Sequence, residues 1–271
     1  MLKNDAKMRE LKKYCENDKD IILAFLYGSQ ARGTEMDESD FDVAVLLTRS
    51  DQEDRVWRDL SRMVDSDVDL VALDRAPATL TSNVLKTGIP LTIKDRGQYL
   101  DLYLEKTNEA EDFTGFAKSY REIADRSHSL TPEDKTRLIE RVQFLKQELS
   151  ELERFRVLSY QTYQEDRTRR REIERWTENI INALIDCAKI ILASEKKAMP
   201  KTYEAALSEF ALLAGLDEGA ALRLSTLARL RNILAHEYLD ILYEKIQIFI
   251  KDFSDTQKEV FLCLKKYTES E

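Results

Sequence analysis

Two groups of residues in this 271-residue chain have types and spacings that could do chemistry. The first is Gly28-Ser29-Gln30-Ala31-Arg32-Gly33, followed by Asp40 and Asp42 on either side of Phe41, and then Asp69 within Val68-Asp69-Leu70-Val71. At strand period Asp40 and Asp42 project from one face, while Phe41, Val43 and Val45 point to the other. Two carboxylates this close repel unless something cationic sits between them. Hard oxygen ligands with no nearby His or Cys suit magnesium, shared with the phosphates of a nucleotide. Asp69 could bring a third carboxylate from a neighbouring strand to the same face. Gly28 would let the backbone approach a phosphate closely, and Ser29 could hold that phosphate at the following helix start. The plain alternative is a tight turn with solvated aspartates, and the chain has other close pairs, such as Asp65 and Asp67. Apolar strands are a poor setting for idle carboxylates, which favours the chemical reading.

The second group is Arg231-Asn232-Ile233-Leu234-Ala235-His236-Glu237-Tyr238. On a helix, Asn232 and His236 stack on one face, and Arg231 shares a face with Tyr238 two turns on. Arg is a permanent cation suited to phosphate, and His can move protons near neutral pH. Such a pair can cleave RNA without metal, one group taking the 2′-hydroxyl proton while the other steadies the phosphorane.

The elements that must position these groups change character along the chain. Ile21 to Tyr27, Phe41 to Leu47 and Val68 to Leu73 read as buried strands. Residues 51–65 have helical spacing, with Val56, Leu60, Met63 and Val64 on one side. Pro77 opens a helix that Gly88 closes. Pro90 to Lys94 fits an edge strand, the sheet position that accepts proline. Residues 96–126 look helical and highly charged. The stretch Ser127 to Glu133 has loop composition, with Thr131 a candidate N-cap and Pro132 at the first helical position. That loop places the boundary between a first domain, 1–128, and a second, 129–271. Beyond it the pattern predicts only helices, at 133–165, 168–195, 202–214, 218–236 and 241–267. Trp176, Phe144 and Phe155 fall on apolar helical faces. The basic run Arg167, Arg169, Arg170, Arg171 and Arg175 is interleaved with Glu165, Asp166, Glu172 and Glu174, the pattern of a solvated, ion-paired face rather than an RNA stripe.

Composition narrows the classes. Charged residues make up 34% and the apolar set 43%, which describes a globular chain. With 7 Gly and 4 Pro the chain suits a largely helical fold. The longest apolar run, Ile21 to Tyr27, is too short to cross a bilayer, and Met-Leu-Lys-Asn-Asp lacks the apolar core of a signal peptide. Three scattered cysteines and two histidines argue against a zinc site or a disulfide framework, so a reducing cytoplasm is the expected compartment. The net charge of −9 disfavours a constitutive, sequence-independent nucleic-acid binder, and DNA is not an expected partner. It divides unevenly, −7 over residues 1–130 and −2 over 131–271, as if the two parts did different work.

The first group resembles the nucleotidyltransferases of the DNA polymerase β superfamily. It is most similar to the minimal nucleotidyltransferases, whose stretch reads G-S-x-A-R-G followed by S-D-x-D. Here those positions are Gly28, Ser29, Ala31, Arg32, Gly33, then Ser39, Asp40 and Asp42, within a resemblance spanning roughly residues 20–95. The resemblance implies an α+β domain with a mixed sheet and helices. It implies ATP as nucleotide, with Gly28, Ser29 and Arg32 binding it, and Mg²⁺ on Asp40, Asp42 and Asp69, where Asp69 would also assist the acceptor hydroxyl. The second part, over most of 133–265, resembles the HEPN domains and specifically the HepT-type toxins. Their signature is Arg, a polar residue, a short spacer, His, any residue, Tyr; Arg175-Trp176 to Ile191 and Pro200 to Tyr203 look like that family's central helix and following turn. This resemblance implies an all-α bundle, RNA as substrate, Arg231 and His236 as the catalytic pair, and a homodimer through the helical domain. In that family the antitoxin is a minimal nucleotidyltransferase that adenylylates the motif tyrosine, here Tyr238. Both halves in one chain imply a fused, type VII-like toxin–antitoxin protein that silences its own ribonuclease. The rival expectation is an antibiotic or small-molecule nucleotidyltransferase with a helical substrate-binding domain, which leaves Arg231, His236 and Tyr238 without a task.

Overall fold

The computed structural model describes residues 2–32, 41–64, 68–126, 129–236 and 243–269. They form two compact units, 1–112 and 113–271. The first holds a four-stranded mixed sheet, β1 (Ile21–Tyr27), β2 (Phe41–Leu47), β3 (Val68–Ala72) and β4 (Ile89–Ile93), in the order β3-β2-β1-β4. Strands β2 and β4 run antiparallel to β1, and β3 runs parallel to β2. A parallel neighbour needs a crossover, supplied by helix α3 (Glu53–Val64). Pro90 lies on the edge strand β4, opposite Phe25.

Strand alternation sorts the sheet residues onto two faces. Phe41, Val43 and Val45 pack with Ile21, Ala24 and Leu26 under α3 and under helix α1 (Leu2–Asn17), whose Leu11 and Cys15 are fully buried. The opposite face gathers Leu23, Phe25, Ala44 and Tyr27 with Leu85 of helix α4 (Ala78–Thr87) and Tyr99 of helix α5 (Arg96–Arg126). On α3, Val56, Leu60 and Val64 are buried as their spacing predicts. Met63, also expected on that side, is exposed: adjacent to Val64, it sits about 100° round the helix from it. Trp57 ties α3 to β3 by donating its indole N–H to the Val68 carbonyl at 2.9 Å.

One arginine pins α1, α3 and the approach to β1. Arg55 meets Asp18 at 2.6 Å and Asp20 at 2.9 Å, with Asp59 at 3.6 Å. Tyr14 donates to Asp59 at 3.0 Å.

The second unit is helical throughout its described residues. It takes in the end of α5 from Phe113 onward, then α6 (Pro132–Leu149), α7 (Leu152–Arg156), α8 (Tyr160–Glu165), α9 (Arg167–Ser194), α10 (Tyr203–Leu213), α11 (Glu218–His236) and α12 (Tyr243–Glu269). Phe113, Phe116, Tyr120 and Ile123 of α5 belong to the helical core. Thr131 caps α6 by accepting from the Asp134 N–H, with Pro132 in the first turn. Helix α9 is the unit's spine, burying Ile173, Trp176, Ile180, Leu184, Cys187 and Ile191. Trp176 also donates its indole N–H to the Glu148 carbonyl at 2.8 Å. Phe155 is buried, but Phe144 is 37% exposed, one position short of the Leu138–Val142–Leu145 stripe. The basic run is ion-paired in part, Arg169 with Glu172 and Arg175 with Glu178. Among the described residues no helix is long and apolar enough to cross a membrane.

The Arg55 cluster carries a pH dependence. Hydrogen bonds from the Arg55 guanidinium hold the Asp18 carboxyl below its usual range, against the opposing pull of burial. A lowered carboxyl contributes stability that is complete above the unfolded value of about 4 and is lost as pH falls through the folded one. Replacing Arg55→Met should cost about 1–3 kcal/mol at pH 7, since it strands partly buried carboxylates. Urea unfolding at pH 7 and pH 3 should show that the variant loses less stability on acidification than the parent. Equal losses would show that the pair is not linked to folding.

Candidate functional site

The candidate nucleotide site is built where β1 ends. Gly28 follows the last residue of β1 and opens the short helix α2 (Gly28–Arg32). Its φ is +73°, in the left-handed region that side chains disfavour. A Cβ there would lie 1.9 Å from Asp42 Oδ2 and 2.6 Å from Asp42 Cγ. The Asp42 carboxylate thus rests in the space that glycine leaves open, and both conformation and contact demand glycine.

Register aligns the other groups with it. Tyr27 is opposite Asp42 across β1 and β2, and Asp42 is opposite Asp69 across β2 and β3. Residues paired across neighbouring strands project from the same face, on strands about 4.8 Å apart. Asp42 and Asp69 therefore stand side by side, with Asp69 exposed. Their charges register on Tyr27, whose phenol is pushed up to about 12, first by burial and then by Asp69 and Asp42. Ser29 is half-buried in the first turn of α2. Arg32 ends that helix, and Asp40 lies outside the described residues. Among the described residues no group of three or more His, Cys, Asp or Glu is placed to hold a metal. The two carboxylates, hard donors from adjacent strands, would suit a magnesium ion.

The second group lies on α11, which carries Arg231 and ends at His236. Arg231 Nε donates to Asn182 Oδ1 of α9 at 3.2 Å. Its guanidinium carbon sits 5.4 Å from the centre of the Tyr203 ring. Beside it opens a cavity of about 240 Å³, reaching Asp186 and Lys189 of α9. Tyr238 lies outside the described residues, and the structure brings Arg231 together with Asn182 and Tyr203. Sequence alone marks Tyr203 only as part of the turn after the central helix, and does not mark Tyr27 or Asn182. Tyr27 could have been found, as the residue preceding the glycine of the motif. Asn182 could not, being 49 positions from Arg231 with nothing in its own segment to mark it.

The first unit is thus a mixed sheet with Asp42 and Asp69 near the starts of β2 and β3, and the second is helical throughout its described residues. Residues 9–97 match the family described as Polymerase beta, Nucleotidyltransferase, and residues 145–260 match Ribonuclease HepT-like. Two consecutive segments of the chain, each less than half of its length, thus match a nucleotidyltransferase family and a HepT-like ribonuclease family. No curated protein matches it. Solved structures similar to it include a toxin–antitoxin with AMP-PNP, at 26% identity over 41% of this chain and 90% of that one, TM-score 0.35. Another is the toxin–antitoxin MntA-HepT, at 22% identity over 41% of this chain and 90% of that one, TM-score 0.33.

The Gly28 contact gives a direct test. Gly28→Ala must shift the Asp42 carboxylate and hold alanine at positive φ, strain of about 1–3 kcal/mol. Pyrophosphate release from ATP should fall about tenfold or more. Gly115→Ala, whose methyl meets nothing within 4 Å, should leave it unchanged. Equal rates in all three proteins would show that this approach does not matter to the chemistry.

Proposed function

We propose that this chain is a self-silencing toxin–antitoxin enzyme. Its nucleotidyltransferase half transfers AMP from ATP to Tyr238 of its ribonuclease half and so blocks RNA cleavage. The observation that carries the reading is the pairing of two family segments in one chain, each with its motif residues intact: Gly28, Ser29, Asp40, Asp42 and Asp69 in the first, Arg231, His236 and Tyr238 in the second.

In the first half Gly28, Ser29 and Arg32 bind the triphosphate. Asp40, Asp42 and Asp69 would hold Mg²⁺, which neutralises charge on the phosphates when bound. The Tyr238 oxygen attacks the α-phosphorus of ATP, the bond from that phosphorus to the bridging oxygen breaks, and pyrophosphate leaves. Asp69 takes the phenol proton, which an unaided tyrosine of pKa about 10 gives up reluctantly. In the second half Arg231 steadies the phosphate of RNA and His236 moves the proton, within a homodimer that brings two motifs together. An AMP on Tyr238, seven residues from Arg231, adds a phosphate that competes for the guanidinium. The cytoplasm is where ATP and RNA meet such an enzyme.

Intact-protein mass spectrometry after incubation with Mg²⁺ and ATP tests this. One AMP per chain should appear, map to Tyr238, and be lost in Asp42→Ala and Tyr238→Phe. The modified protein should cleave single-stranded RNA at least about tenfold more slowly than the unmodified one. AMP transferred only to an added small molecule, such as an aminoglycoside, would replace this reading with the antibiotic-modifying one.

A further inference from the structure

We infer that Asn182 is the positioning residue of the ribonuclease arginine, and that the cavity it shares with Arg231 is a subsite for a phosphate of the RNA. The inference rests on the ribonuclease reading above and deepens it.

A guanidinium recognises phosphate through a planar fork, so its usefulness depends on its orientation as much as its charge. Arg231 is restrained in two independent ways. Its Nε edge is taken by Asn182 Oδ1 at 3.2 Å, and one face lies over Tyr203 at 5.4 Å. Neither restraint is loose. Asn182 stands on α9 between the buried residues Ile181 and Ala183, on the helix that forms the spine of the unit. Tyr203 is buried and wedged against the rings of Phe113 at 5.3 Å and Phe116 at 5.4 Å.

The cavity beside this fork is lined by Asn182, Ile185, Asp186, Lys189, Tyr203 and Arg231, among others. Its volume of about 240 Å³ is several times the roughly 30 Å³ that one water occupies, enough for a phosphodiester with part of its ribose. Two cations and one carboxylate face it. Asp186 holds Lys189 at 2.8 Å and also takes Arg141 Nε at 2.9 Å, so it fixes the lysine in place and shares its own charge between two cations. The lysine is further confined by the Phe116 ring, 5.8 Å away. A tetrahedral anion between Arg231 and Lys189 is the ligand this arrangement suits. In an RNA strand it corresponds to the scissile phosphate or its immediate neighbour.

The test uses the full chain carrying Asp42→Asn throughout, so that nucleotidyl transfer does not enter the readout. Cleavage of a short single-stranded RNA gives kcat and KM, and fluorescence anisotropy with its fully 2′-O-methylated copy gives binding without cleavage. Asn182→Ala should lower kcat about tenfold or more while KM stays within about twofold and the melting temperature is unchanged. Asn182→Asp, which still accepts from Nε, should restore kcat to within about threefold but raise KM, because the added charge repels phosphate. Lys189→Gln should weaken binding of the methylated RNA about fivefold and raise KM in step. If Arg231→Ala inactivates the enzyme while Asn182→Ala cleaves like the parent, the inference fails and the ribonuclease reading stands. A loss of stability shared by Asn182→Ala and Asn182→Asp, with kcat intact in both, marks a structural role and also overturns it. If Arg231→Ala cleaves like the parent, or the parent neither cleaves nor binds RNA, the inference and the ribonuclease reading fall together.

Discussion

A carboxylate resting where a side chain would otherwise be is the contact on which the nucleotidyltransferase half depends. Asp42 can occupy that space only because residue 28 is glycine at φ +73°, and only because β1 and β2 hold a register that sets Tyr27 opposite Asp42. A slip of one residue would exchange the faces of β2, sending Asp42 into the apolar layer of Phe41, Val43 and Val45. The same register delivers Asp69, since parallel pairing puts it level with Asp42. The crossover that makes β3 parallel is therefore part of the site's construction. Its buried stripe of Val56, Leu60 and Val64, the Trp57 bond to Val68 and the Arg55 cluster hold it in place.

The helical half solves a different problem. There the functional cation comes from a helix, and no ladder of hydrogen bonds sets its height. A half-buried guanidinium costs desolvation unless its donors and its face find partners. Asn182 and Tyr203 supply them from two other helices, α9 and α10. Because α9 buries most of one side, the acceptor is as rigid as the core itself. The position of Arg231 is thus inherited from packing, whereas that of Asp42 is inherited from strand pairing.

That contrast explains what could be read from the chain beforehand. Local patterns carried the strands, the Thr131 cap and the extents of α9 to α12, because alternation, caps and helical stripes are written in consecutive residues. The carboxylate face was legible too, since Asp42 alternates with apolar neighbours. Helix α1 escaped notice because its apolar stripe is narrow among charged residues, with Leu11 and Cys15 its fully buried members. The division within α5 left no local mark, because a helix can pass from one core to another without a loop. Met63 and Phe144 were misplaced by a single position, within the width that a periodic argument allows. Asn182 was out of reach in principle: its role exists only once α9 and α11 pack together.

Charge distribution and site construction fit one another. Residues 1–130 carry a net −7, an unfavourable field for a triphosphate, so the nucleotide end needs its carboxylates to recruit a cation rather than leave them solvated. Residues 131–271 carry only −2, and part of their basic run is spent in ion pairs with Glu172 and Glu178. A near-neutral surface cannot draw RNA by its overall field as a strongly basic one does. Phosphate recognition there has to come from a few cations held in fixed orientation. Arg231 over Tyr203 and Lys189 on Asp186 have that character, so on the proposed function the rigidity of their supports would stand in for charge density.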